Sequence, residues 1–168
     1  MSQTKLTPFL DLFILGVPLG QPRPRARRLG DRVIIYDPKT AEPWRKAVAY
    51  AVRECVEFPY EEPLDLTLTF YFPRPKSHYG TGKNSGRIKG SAPKHHAQKI
   101  DIDNAIKSTL DAMNMVLYLD DKQVTRVIAQ KLWAPRPDQA GLALQAGFSV
   151  SPEEPSSHYL TEPHASQS

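Results

Sequence analysis

Apolar residues first recur without a break. Residues 6–16 are apolar on both alternating faces apart from Asp11, which predicts a strand covered from both sides and therefore central in its sheet. Residues 32–36 predict a short strand, hairpinned through Gly30-Asp31 with what precedes it. A helix is expected next: Thr40 is a candidate N-cap, Glu42 suits the first turn, Pro43 is tolerated early, and Trp44, Val48, Ala51, Val52 and Cys55 repeat at helical spacing. That spacing puts Cys55 on the buried face. Residues 64–72 alternate cleanly, with Leu64, Leu66, Leu68, Phe70 and Phe72 on one side of a strand. Residues 73–99 are rich in Gly, Pro, Ser and Lys and have no apolar period, the pattern of a long functional loop. Ile106, Leu110 and Met113 then mark the buried stripe of a second helix, and residues 124–133 and 141–150 read as two final strands. Beyond Val150 no apolar repeat remains, so 151–168 is expected to be a disordered tail. The order predicts an α/β fold: a single compact domain over residues 1–150, built on a mixed β-sheet with two main helices.

Composition narrows the function classes. The 168 residues are 40% hydrophobic, enough for the core of one domain. The apolar run from Phe9 to Leu15 is far shorter than the roughly 20 residues of a membrane span, so no membrane partner is expected. One cysteine closes no disulfide within the chain and makes no multi-cysteine zinc site, which fits a reducing compartment and a cytoplasmic location.

Charge is unevenly spread. The net charge is +4, yet residues 151–168 hold three glutamates and no Lys or Arg, so residues 1–150 carry +7. Two acid-free segments, 20–28 and 73–99, hold 11 of the 22 cations. Such runs flanking a carboxylate cluster suit a phosphate backbone. In the first, prolines deny helix and ladder alike, leaving a stiff extended arm that turns Arg23, Arg25 and Arg27 outward. It reads either as a DNA contact or as a charged connector. In the second, Lys76, His78, Lys94, His96 and Lys99 are candidate phosphate contacts. The histidines read alternatively as plain surface residues of an exposed loop.

The candidate chemistry lies between Lys99 and Val124, which contains Asp101, Asp103, Asp111, Asp120 and Asp121. In Asp101-Ile102-Asp103 an extended backbone puts both carboxylates on one side with Ile102 facing the core, and Asp103 or Asn104 is a candidate cap for the helix that follows. Two adjacent carboxylates stay ionised together when a cation compensates, and hard oxygen ligands suit Mg²⁺. Lys107, one turn after Asp103, reaches the same place; its other reading is a surface pair with Asp111, worth about 0.3–0.5 kcal/mol. Asp120-Asp121 is either a metal-binding pair on a returning strand or ordinary turn chemistry.

These residues resemble the RusA-type Holliday junction resolvases. The resemblance rests on Asp101-x-Asp103-Asn104-x-x-Lys107, Asp111-Ala112 and Asp120-Asp121-x-Gln123-Val124. It is supported by Gly16-x-Pro18, Arg23-Pro24-Arg25, Tyr36-Asp37-Pro38 and Pro75-Lys76-Ser77-His78. It implies a Mg²⁺-dependent homodimer that cleaves four-way DNA junctions symmetrically and needs no organic cofactor. By motif position Asp101, Asp103 and Asp121 are the expected catalytic metal ligands, Asp120 a further candidate ligand, and Lys107 the catalytic lysine. Two departures stand out: Ile100 where proline often precedes the first aspartate, and Met115 after Asn114 where glycine is usual. A less selective metal nuclease on branched DNA and a non-catalytic DNA-binding protein are the alternatives.

Overall fold

The structure, a computed structural model, describes residues 8–150 except Arg23, Asp37 and the side chain of Tyr36. The expected tail at 151–168 and the expected Arg23 contact lie outside the described residues. Six strands and two helices follow in the order β1 (Leu10–Leu15), β2 (Arg25–Leu29), β3 (Arg32–Tyr36), α1 (Glu42–Arg53), β4 (Leu64–Phe72), α2 (Ile102–Met113), β5 (Val124–Trp133) and β6 (Gly141–Phe148). The four-stranded sheet has the order β1-β6-β4-β5, with β4 and β5 parallel and the other pairs antiparallel. The expected mixed sheet with two helices is therefore observed.

The alternation in β4 works as its sequence implies. Leu64, Leu66, Leu68, Phe70 and Phe72 join Leu142, Leu144 and Ala146 of β6 and Leu10 and Ile14 of β1 in one core. Trp44, Val48 and Val52 of α1 and Ala105, Ala112 and Met113 of α2 close that core from the helix side. α2 lies in the connection between the parallel strands, because parallel neighbours need a crossover. Its buried stripe is centred on Ala105, Ser108, Thr109, Ala112 and Met113, while Ile106 and Leu110 flank it half-buried. On the far face of the sheet Asp65 is buried but fully engaged, paired with Arg126 at 2.7 Å and accepting from Thr125 and Ser149 hydroxyls. This acid belongs to the scaffold.

Four expectations change. β1 is an edge strand, paired only with β6, and it is not covered from both sides, since Phe13 and Leu15 are exposed on the face away from the helices. Arg25–Leu29 is not an extended arm but a strand paired antiparallel with β3; it begins directly after Pro24, so no ladder N–H is lost to proline. A 3₁₀ turn at Lys39–Ala41 precedes α1, and Ala41 occupies the N-cap where Thr40 was expected. Cys55 is exposed, because α1 ends at Arg53 and the chain turns to bury Val56 instead.

The turn out of α2 sets the approach to the last aspartates. Met115 has φ 59°, a left-handed conformation that L side chains other than Asn and Asp seldom take. Its N–H donates to Tyr118 O at 2.7 Å, and the buried Tyr118 hydroxyl donates to Leu110 O at 2.9 Å. Burial, with the charges of Asp121 and Asp111, pushes the Tyr118 phenol well above its ordinary range, so it stays a donor at all working pH values. Since Met115 is exposed and packs little, Met115→Gly should raise stability by about 1 kcal/mol. A higher urea midpoint at unchanged slope is the expected readout.

Candidate active site

The acidic stretch divides at α2. Asp101 is the N-cap, with extended φ/ψ and no side-chain cap hydrogen bond, and Asp103 lies in the first helical turn. The expected extended Asp-Ile-Asp is thus replaced by a helix start, with Asp101 at the N-cap where Asp103 or Asn104 was expected, and Ile102 is exposed rather than in the core. Both carboxylates are exposed at the positive end of the helix dipole, which favours anionic side chains there. Among the described residues neither side chain has a hydrogen-bond or ion-pair partner. Lys107 is exposed one turn further on and likewise unpaired among the described residues. Asp111 is committed elsewhere: its Oδ2 meets Arg45 of α1 at 2.8 Å, and Arg45 also donates to Gln21. Lys107 is therefore not half of a Lys107–Asp111 pair.

Asp120 and Asp121 also part company. Asp120 caps the 3₁₀ turn Asp121–Gln123: its carboxylate accepts from Lys122 N–H at 3.0 Å, and its own N–H donates to Gln123 Oε1 at 2.9 Å. That backbone hydrogen bond, first among the causes, holds the Asp120 carboxyl below the usual range. Gln123 in turn donates to Tyr60 O at 2.9 Å, tying the turn to the body. Asp121 is left exposed on the turn, with its charge reaching the Tyr118 phenol beside Leu110. Asp103 and Leu110 are seven residues apart on one helix, about 10 Å along its axis.

The donor set is made of carboxylates, suited to a hard divalent cation. Among the described residues no three His, Cys, Asp or Glu side chains form a group able to hold a metal by themselves. A Mg²⁺ site is commonly built from one or two carboxylates together with waters and substrate phosphate oxygens. Asp101 and Asp103 fit such a partial site.

Several residues that fix this geometry escaped the sequence reading. Lys131 of β5 donates to Ile100 O at 2.6 Å and to Gln98 O at 3.2 Å, gripping the chain just before Asp101. Its register beside Phe70 puts it on the core-facing row with Val127, Ala129 and Trp133, an inward-pointing charge that the alternation of β5 could have revealed. Ile100 itself has φ 78°, which no proline can take, so the departure from the family pattern there is a conformational one. Gly20 packs so closely that a Cβ would sit 2.9 Å from Ile100 Cγ2 and 3.2 Å from Asn104 Cβ, and Gln21 N–H donates to Asn104 O at 2.9 Å. Leu19, Gly20, Gln21, Thr40, Lys99, Asp101 and their neighbours line a cleft of about 390 Å³ at this helix end.

The basic loop is folded rather than loose. Arg74 donates to Ala134 O and Pro93 O, Lys89 Nζ donates to Ser77 O, and Lys94 to His96 runs beside the outer edge of β5 through His96 N–H to Lys131 O and Trp133 N–H to Lys94 O. His96 is the exception among the expected phosphate contacts. It is 7% exposed, stacked on Phe72 with centroids 4.0 Å apart and edge-on to Trp133, because it pins the loop to the end of the core. His78 packs on Trp133 and faces Arg74 at 3.3 Å, half-buried. Lys76, Lys94 and Lys99 stay exposed, as do Arg25 and Arg27 on β2.

The comparisons with known proteins identify a family. A family model described as endodeoxyribonuclease RusA matches residues 16–140, which include every candidate residue discussed above. The chain belongs to the RusA endodeoxyribonuclease family. It is also similar to the uncharacterized protein YqaN of Bacillus subtilis (strain 168), 30% identical over 128 residues that cover 74% of this chain and 87% of that protein. Membership in the RusA family makes DNA the substrate and endonucleolytic cleavage the broad activity, and RusA nucleases generally depend on a divalent metal. Among the described residues no helix is long and apolar enough to cross a membrane.

Two outcomes follow from these contacts. Lys131→Met removes both carbonyl contacts and should cost about 2 kcal/mol of stability, with faster amide exchange concentrated at 98–104. Burial, reinforced by Lys131, lowers the His96 pKa, so the folded loop favours neutral imidazole while the unfolded chain binds protons below about pH 6.5. This stabilisation is complete above that pH and falls as pH drops. Hydrogen exchange of residues 76–95 should accelerate between pH 7.5 and 5.5, after correction for intrinsic rates, and His96→Phe should flatten the dependence.

Proposed function

We propose that this chain is a Mg²⁺-dependent resolvase that cuts four-way DNA junctions symmetrically, as a cytoplasmic homodimer, in recombination and repair. The observation that carries the reading is the sorting of the five aspartates. Asp111 is held by Arg45 and Asp120 caps the 121–123 turn, while Asp101 and Asp103 are exposed at the start of the helix that carries Lys107, unpaired among the described residues, and Asp121 is exposed on the separate turn 121–123. Unpaired carboxylates in a body of charge +7 oppose attraction to DNA, and a bound cation removes that conflict.

Asp101 and Asp103 would hold the ion, with Asp121 as the third carboxylate drawn in from the turn. When bound, Mg²⁺ supplies charge neutralisation at the scissile phosphate and a water acidified for in-line attack, the reaction leaving 5′-phosphate and 3′-hydroxyl ends. Lys107 places its ammonium where the phosphate's negative charge grows, one turn from Asp103. Lys76, Lys94 and Lys99 on the loop and Arg25 and Arg27 on β2 neutralise the backbone on either side, and their contribution weakens with salt. Two copies related by a two-fold axis would present two sites to the near-symmetric arms of a junction.

Asp101→Asn and Asp103→Asn should each lower junction cleavage roughly 100-fold or more, with junction binding retained or tightened. Lys107→Met should lower the rate by about 10²–10³. Matched four-way junction, fork and linear duplex substrates, with and without Mg²⁺, test the reading. Equal rates on all three would leave a general branched-DNA or duplex nuclease, and junction binding with no nicking in Mg²⁺ would leave a binding protein.

A further inference from the structure

The β2–β3 hairpin is exposed along its whole described length and packs on neither helix nor sheet. Its register separates two faces. Arg25, Arg27 and Arg32 share one face with Ile34 and Leu29; Ala26, Val33 and Ile35 share the other with Arg28. Val33 is 67% and Ile35 73% exposed, so a contiguous β-branched surface stands in solvent on the most cationic element of the chain. Phosphate contacts account for the arginines and leave Val33 and Ile35 unexplained.

The segments that lead into and out of the ribbon start from the acidic end of α2. The leading stem, Gly20-Gln21, lies against Ile100 and Asn104, and the trailing stem brings Thr40 to the cleft lined by Asp101.

We propose that the β2–β3 ribbon is a wedge for branched DNA, with Arg25, Arg27 and Arg32 on the phosphates and Val33 and Ile35 against base faces exposed where stacking is interrupted. The inference rests on the DNA-cleaving reading above and adds to it the element that tells a branch from a plain duplex. A two-stranded ribbon fits a DNA groove, and apolar side chains that enter DNA do so between unstacked bases. β-Branched residues suit this use because few rotamers are lost on contact. Charge decides the occupant. The described ribbon carries Arg25, Arg27, Arg28 and Arg32 against Asp31 alone, with Arg28 directly across from Val33 on the apolar face, so a second copy of the ribbon would bring like charges together there, whereas DNA complements the arginines of both faces.

The test uses full-length Asp101→Asn protein without Mg²⁺, so no cleavage is needed, and a four-way junction carrying 2-aminopurine at the exchange point. Binding should raise the fluorescence of the base analogue. Val33→Thr with Ile35→Thr, which keeps β-branched residues in the strand, should abolish that rise and weaken junction binding at least 10-fold, with linear duplex affinity unchanged within two-fold. Arg25→Gln with Arg27→Gln should weaken both substrates together. Retention of the fluorescence rise and of junction affinity in the threonine variant overturns the proposal. So does a shift to a lighter species in sedimentation velocity without DNA, which would assign the face to a second copy. If wild type fails to cut junctions in Mg²⁺ but the fluorescence result holds, the nuclease reading fails and the wedge stands.

Discussion

The grip of Lys131 on the carbonyls of Gln98 and Ile100 is the interaction on which the acidic end of α2 depends. A lysine on the core-facing row of a strand must find oxygen partners or carry an unpaired charge into low dielectric. Here the partners are backbone groups that the left-handed Ile100 turns toward it, so one cation both satisfies itself and fixes where the chain enters the helix. Gly20 and Gln21 press from the opposite side against Ile100 and Asn104. The first two aspartates are thus exposed at their tips and rigid at their roots, the combination a site needs when its ligands are to be ready before substrate arrives.

The same logic separates the remaining acids. Asp65 is buried within a closed set of donors and serves the sheet; Asp111 locks α1 to α2 through Arg45; Asp120 folds its own turn.

The sequence reveals the sheet strands and helices through period, since β4, β6 and both helices have faces that must be buried. It offers a candidate site as a cluster of motif residues. What it hides are features set by long-range contact. The edge position of β1 follows from the strand order β1-β6-β4-β5, in which only β6 pairs with it, an order that the apolar run 6–16 does not record. The partner of Arg25–Leu29 is the next strand, and the prolines that argued against pairing stand just outside it. His96 reads as one of two adjacent basic-loop histidines, and only the fold shows Phe72 and Trp133 waiting for it. Met115 and Ile100 depart from the family pattern at the two ends of α2, and both prove to hold left-handed backbone there.

The basic loop is fastened at two places close together in space. Arg74 bonds Ala134 and Pro93 near its start, and Lys94 to His96 lie along β5 near its end, so the 15 or so residues between form a closed excursion from the core. Doubling the length of such an excursion costs only about 0.6 kcal/mol in closure entropy. The segment between His78 and Lys94 can therefore lengthen, shorten or change charge at little cost in closure entropy while the start of α2, with Asp101 and Asp103, keeps its anchors at Lys131, Gly20 and Gln21. Within one fold, a cationic surface can diverge beside a fixed acidic helix end.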